Sequence, residues 1–155
     1  MLPKRKHIRL HDDVYKSEQQ YFSITIATNN RNKYFTNPET AILTVKLITD
    51  TYLTKQAILV AYCLMPDHLH LLIAPNKLSL VRVIQAWKSY STKMIQKHLK
   101  ISGSIWQRSF YDHALRKEED LGKVANYILE NPVRKELVKD WRDYPYSWCE
   151  WMEKE

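Results

Sequence analysis

The 155-residue sequence holds only two glycines, Gly103 and Gly122, and no Gly-rich run. A phosphate cradle of the Walker type is built from closely spaced glycines, so its absence argues against ATP-driven chemistry. Cysteine is as scarce: Cys63 and Cys149 lie far apart and form no CxxC pair. That excludes a zinc knuckle and a disulfide framework, and it points to a reducing compartment. No apolar run approaches the length of a membrane span, and the opening Met1-Leu2-Pro3-Lys4-Arg5-Lys6 lacks a hydrophobic signal segment. The expectation is a soluble cytoplasmic protein that does not engage a membrane. Acidic residues are the minority too, 17 against 24 Lys and Arg, for a net charge of +7. Such a balance favours a polyanionic partner, nucleic acid above all. Repeats, low-complexity segments and linkers are missing, and 45% of residues are hydrophobic. Residues 1–155 are therefore expected to form one domain.

What is present centres on Tyr62-Cys63-Leu64-Met65-Pro66-Asp67-His68-Leu69-His70-Leu71-Leu72-Ile73-Ala74-Pro75. Two hydrophobic runs meet at a Met-Pro-Asp turn, which predicts two adjacent antiparallel strands. Residues i and i+2 of a strand share a face, so His68 and His70 stand side by side while Leu69, Leu71 and Ile73 face a core. Two imidazoles on one face look like half of a metal site. Taken alone, they fit polar positions on a half-exposed strand equally well.

In chain order, residues 1–20 open with a basic arm (Lys4, Arg5, Lys6), readable as a solvated tail or as a contact to phosphate. Residues 21–28 alternate as a half-buried strand. Asn37-Pro38-Glu39 then supplies an N-cap, a proline at the first helical position and an acid in the first turn. The helix that follows carries Ala41, Ile42, Val45, Ile48 and Tyr52 as its apolar stripe. Residues 56–64 and 68–74 are the central strands. Residues 79–100 form a long helix with Leu80, Val83, Ile84, Trp87, Met94 and Ile95 inward. Arg82, Lys88, Lys93, Lys97 and Lys100 give it a face without any acid, which suits phosphate. Residues 106–115 are a fourth strand and 117–131 another helix, with Tyr127 and Asn131 four apart on one side. The aromatic tail, with Trp141, Tyr144, Tyr146, Trp148 and Trp151, is expected to fold back as core. Strand, helix, strand, strand, helix, strand is the split βαβ plan: an α+β, ferredoxin-like fold with a four-stranded antiparallel sheet, crossover helices on one face and additional C-terminal helices.

Three segments carry a resemblance. These are the strand pair ending in His68-Leu69-His70-Leu71-Leu72, Ile105-Trp106-Gln107-Arg108-Ser109-Phe110-Tyr111-Asp112-His113, and Tyr127-Ile128-Leu129-Glu130-Asn131-Pro132-Val133-Arg134. Together with Tyr21-Phe22-Ser23-Ile24-Thr25 the sequence resembles the single-tyrosine HUH transposases, and within them the REP-associated tyrosine transposases. The resemblance implies a metal-dependent enzyme that cleaves and rejoins single-stranded DNA, beside a small hairpin, through a 5′-phosphotyrosine. It implies that His68 and His70 bind Mg²⁺ or Mn²⁺, that Tyr127 is the nucleophile, and that Asn131 stands where the third ligand belongs. It leaves open a monomer or a homodimer. Asp67 departs from the Asn common at that position, outside the coordinating residues.

Some alternatives stay open in the sequence. Asn131 precedes a proline, as a helix cap does. Lys123, one turn before Tyr127, suits either solvent or the scissile phosphate. A histidine-triad hydrolase would need a histidine at position 72, which is Leu72. The functional alternative is a non-catalytic nucleic-acid-binding protein on the same fold.

Overall fold

The computed structural model describes residues 19–117 and 119–152, so the basic arm with Lys4, Arg5 and Lys6 lies outside the described residues. Strand β1 (Phe22–Ala27) leads into helix α1 (Pro38–Thr49) and a single helical turn, α2 (Thr51–Thr54). Strands β2 (Ala57–Met65) and β3 (His68–Pro75) form the central hairpin. After α3 (Leu80–Leu99) and β4 (Tyr111–Ala114) come α4 (Leu121–Leu129), the short α5 (Asn131–Arg134) and β5 (Ser147–Cys149). The sheet runs β4-β1-β3-β2-β5, and every pairing is antiparallel.

The first four strands reproduce the expected split βαβ order. The fifth is a correction to a four-stranded sheet. Leu64 N–H donates to the Tyr146 carbonyl and Glu150 N–H to the Val60 carbonyl, at 2.8 and 2.9 Å, which lays the aromatic tail along β2. Tyr144 donates its hydroxyl to the Leu64 carbonyl, and Trp148 stacks on Tyr62. Three residues of strand are too few to show alternation. The fourth strand is shorter than the expected 106–115, because Trp106 makes one isolated bridge to Thr28 before the chain leaves the sheet.

Helix starts are set by side-chain caps. Asn37 Oδ1 accepts from Glu39 and Thr40 N–H, Ser79 Oγ from Arg82 N–H, and Asp120 Oδ1 from Gly122 and Lys123 N–H. The Asp120 cap starts α4 four residues later than expected, and the pre-proline position ends it before Asn131. Three stripe positions are also corrected. Ile42 and Met94 face solvent, and Tyr52 is exposed and lies beyond the end of α1, while Thr44 and Ser91 are buried in their helices. Thr44 is accommodated because its hydroxyl donates to the Thr40 carbonyl at 2.8 Å, and Ser91 because it accepts from Trp106 Nε1 at 2.9 Å.

The two sheet faces hold separate cores. Leu69, Leu71 and Ile73 join Ile24, Ile26 and Leu64 beneath α1 and α3. Trp87 of α3 donates its indole N–H to the Leu47 carbonyl of α1 at 2.9 Å, which ties the crossover helices together. On the opposite face Leu72, Ala74, Cys63 and Met65 pack against Leu121, Ala125, Ile128 and Leu129 of α4. His68 and His70 belong to this second face, at the end of β3 that α4 reaches with its C-terminus.

Candidate active site

Register decides what surrounds the histidines. His70 lies opposite Thr25 on β1 and Cys63 on β2, and His68 opposite Ala27 and Met65. Paired residues share a face, so Thr25 meets His70, with Oγ1 and Nδ1 3.1 Å apart. The imidazoles turn their Nε2 atoms toward each other, 3.1 Å apart, with the rings perpendicular. Asn131 at the start of α5 brings its Nδ2 to 3.4 Å from His68 Nε2. The junction at Glu130 thus delivers a buried amide to a buried imidazole, and both are nearly sealed from solvent.

Asn131 does not cap α5, which has no side-chain cap. The cap alternative is thereby excluded. Its Oδ1 faces Arg134 Nη2 at 3.5 Å instead. Arg134 also donates from Nη2 to the Tyr127 carbonyl at 2.7 Å and lies over the Tyr127 ring, 3.8 Å from its centroid. Tyr127 itself is 64% exposed, on the side of α4 that carries the chain to Asn131.

The turn residue Asp67 accepts from His68 Nδ1 at 2.6 Å and pairs with Arg31 Nε at 3.2 Å. With His68 donating from Nδ1, its Nε2 carries a lone pair toward His70 and Asn131. Burial above all lowers the pKa of His68, helped by the charges of Arg31 and Lys135 and opposed by Asp67. Burial, then the charges of His68, Arg134 and Arg31, pushes His70 down to about 3. Burial would raise the Asp67 carboxyl, but the hydrogen bond and charge of His68 and the charge of Arg31 bring it below the usual range. Neutral imidazoles beside an ionised carboxylate are the forms that ligation needs.

Among the described residues no group of three or more His, Cys, Asp or Glu is arranged to hold a metal ion, and the further donor beside this pair is the Asn131 amide. The spacing fits that use. Two nitrogens about 2.1 Å from one ion lie about 3.0 Å apart at right angles and about 3.4 Å apart in a tetrahedron. The observed 3.1 Å lies between them. Turning the Asn131 amide end for end presents its oxygen, the donor that Mg²⁺ and Mn²⁺ prefer.

The remaining expected residues lie apart from this cluster. Arg82, Lys93 and Lys97 are exposed on α3, which packs on the other face, and Lys123 is exposed on α4. Lys88 differs from the phosphate contact expected of it. Its Nζ donates to the Gln107 and Arg108 carbonyls at 2.5 and 3.0 Å, and burial lowers its pKa. It is one of the residues lining a groove of about 580 Å³ between α3 and residues 104–108, with Lys93, Gln96, Gln107 and Arg108 among the others. Thr25, Arg31, Asp67 and Arg134 were not singled out from the sequence as parts of the site. Thr25 and Arg134 lie within the segments that carry the resemblance, and Asp67 is the departure beside His68.

Comparison with known proteins bears on the family and the fold. Over 99 residues, 57% of the chain, it is 33% identical to a protein of Haemophilus influenzae named as a candidate REP-associated tyrosine transposase. Over 44 residues, 28% of the chain, it is 41% identical to the REP-associated tyrosine transposase of Escherichia coli K12. The matched segments span 56% and 27% of those relatives, so the chain covers about half of one and less of the other. Two solved structures share the fold. One is a REP-associated tyrosine transposase bound to a REP hairpin, with TM-score 0.61 and 21% identity, covering 92% of this chain and 81% of that one. The other is a candidate transposase from Deinococcus radiodurans, with TM-score 0.51 and 21% identity, covering 80% of this chain and 95% of that one. The sequence profile described as "Transposase IS200 like" matches residues 16–131, three quarters of the chain, and the protein belongs to that family.

Proposed function

We propose that the chain is a metal-dependent, single-stranded DNA transposase or endonuclease that cleaves and rejoins DNA through a 5′-phosphotyrosine at Tyr127. The observation that carries this reading is the meeting at His68 Nε2 of His70 Nε2, 3.1 Å away, and the Asn131 amide, 3.4 Å away, on a sheet covered by the helix that holds Tyr127. His68, His70 and Asn131 would hold the cation, Mg²⁺ or Mn²⁺. When bound, the ion supplies positive charge to the scissile phosphate and to the departing 3′ oxygen. Two imidazoles and an amide are neutral, so they leave that charge undiminished.

Tyr127 Oη attacks phosphorus and gives its proton to solvent, the bond from phosphorus to the 3′ oxygen breaks, and that oxygen takes up a proton from solvent. The products are a 5′-phosphotyrosine and a 3′-hydroxyl. The covalent link keeps the energy of the phosphodiester, so rejoining needs no nucleotide triphosphate. That agrees with a sequence without a Gly-rich phosphate loop. Exposure of Tyr127 leaves room for a strand, and Arg134 over its ring restricts where the phenol points.

Single-stranded DNA beside a hairpin is the proposed substrate, because one relative of the same fold is described with a REP hairpin bound. The exposed cations Arg82, Lys93, Lys97 and Lys123 are the proposed phosphate contacts, with Lys4, Arg5 and Lys6 of the arm. The test is cleavage of labelled hairpin DNA with Mn²⁺, with EDTA, and with Tyr127→Phe. The expected result is cleavage by the native chain with Mn²⁺ alone, and unchanged binding without cleavage by Tyr127→Phe. Binding without cleavage by every form would leave a non-catalytic nucleic-acid-binding protein.

A further inference from the structure

The turn between β2 and β3 holds a carboxylate in a fixed place against one ring of the histidine pair. Asp67 accepts from His68 Nδ1 at 2.6 Å, and its other oxygen meets Arg31 Nε at 3.2 Å. Its backbone is pinned: the Asp67 carbonyl accepts from Thr28 N–H at 2.9 Å and from the Thr28 hydroxyl at 3.1 Å. Phe35 N–H bonds the preceding Pro66 carbonyl at 3.1 Å. Arg31 reaches the carboxylate from a left-handed backbone with φ 54°, an uncommon conformation for a long side chain. The loop around it is held by Arg31 N–H on the Thr28 carbonyl and Asn29 N–H on the Ile105 carbonyl. Strain of this kind persists where the surroundings fix it.

We propose that Asp67 is a positioning residue for His68, setting its tautomer and strengthening its Nε2 as a metal donor. This role rests on the reading of His68 and His70 as ligands. A carboxylate that receives Nδ1–H fixes the ring orientation and leaves the lone pair on Nε2, which faces His70 and Asn131. Its negative charge makes that lone pair more basic toward a cation. His70 has only the neutral Thr25 hydroxyl at its Nδ1. The two ligands are therefore unequal, and His68 is the stronger. Arg31 aims the carboxylate at the ring.

Titration calorimetry of the full chain with MnCl₂ alone tests this. Asp67→Asn keeps the size and one oxygen acceptor for His68 Nδ1–H, while it removes the charge and the acceptor that meets Arg31 Nε. Asp67→Ala removes the acceptor as well. Mn²⁺ affinity is expected to fall about tenfold in Asp67→Asn and toward about 100-fold in Asp67→Ala. Ring-nitrogen NMR is expected to show His68 as the Nδ1–H tautomer in the native chain and as a mixture in Asp67→Ala. Equal Mn²⁺ affinity in the native chain and Asp67→Asn, with the tautomer unchanged in Asp67→Ala, overturns the role and leaves the metal centre standing. If the native chain binds no more Mn²⁺ than His70→Ala does, the metal reading itself fails and takes this role with it.

Discussion

Arg134 lies 3.8 Å over the centre of the Tyr127 ring and donates to the Tyr127 carbonyl at 2.7 Å. A tyrosine this exposed would otherwise move among side-chain rotamers. The cation over its face and the bond to its backbone hold both ends of the residue. The same guanidinium reaches Asn131, which links the proposed nucleophile to the proposed ligand. Arg134→Met is expected to lower the cleavage rate about tenfold while reducing hairpin affinity less, because misplacing a reacting group costs rate more than binding. Rates and affinities measured on one labelled hairpin separate the two. An unchanged rate would show that the phenol is oriented without Arg134.

Asn131 Nδ2 lies 3.4 Å from His68 Nε2, a contact that a buried hydrogen-bond partner would also make, so its role as ligand needs its own test. Asn131→Ala is expected to weaken Mn²⁺ binding about tenfold, and Asn131→Asp, which keeps an oxygen donor and adds charge, to restore it. Calorimetry on the three proteins gives the order directly. Native affinity in Asn131→Ala would leave the amide as a buried partner of His68 only.

Much of this site was legible before any coordinates. Period-two alternation set His68 and His70 on one face, and the Asn37 cap lies where local chemistry puts it, whereas the Asp120 cap starts its helix four residues after the expected position. Less visible were features that depend on distant partners. Strand β5 is only Ser147, Trp148 and Cys149, and pairs with β2 through bonds that no local pattern records. Ser91 and Thr44 are polar, yet they occupy buried helix positions because each finds a hydrogen bond. Lys88 reads as a phosphate contact until the loop carbonyls of Gln107 and Arg108 appear around its ammonium. Asp67 reads as a departure outside the ligands, and the turn places it against one of them.

The cations of α3 separate into two kinds. Arg82, Lys93 and Lys97 are exposed, whereas Lys88 is held by backbone carbonyls. Replacing Lys93 or Lys97 by Gln is expected to lower the salt slope of hairpin binding by up to about one for each phosphate that the lysine neutralises. Lys88→Met is expected to leave the slope alone and loosen the segment at 104–108. Fluorescence anisotropy over a range of NaCl concentrations measures this. A slope unmoved by Lys93 and Lys97 would remove α3 from the DNA surface.

Ser91 accepts from the buried Trp106 indole at 2.9 Å. Ser91→Ala strands that N–H and is expected to cost about 1–3 kcal/mol. Thermal unfolding should show Tm lower by several degrees. An unchanged Tm would mean that the indole finds another acceptor.

The central claim is a covalent bond between Tyr127 and DNA. Incubation of the chain with single-stranded hairpin DNA and Mn²⁺, digestion, and mass spectrometry of the peptides tests it most directly. The account predicts a nucleotide attached through phosphate to the peptide that contains Tyr127, absent with EDTA. DNA cleaved while that peptide stays unmodified, or an adduct on a different residue, would contradict it.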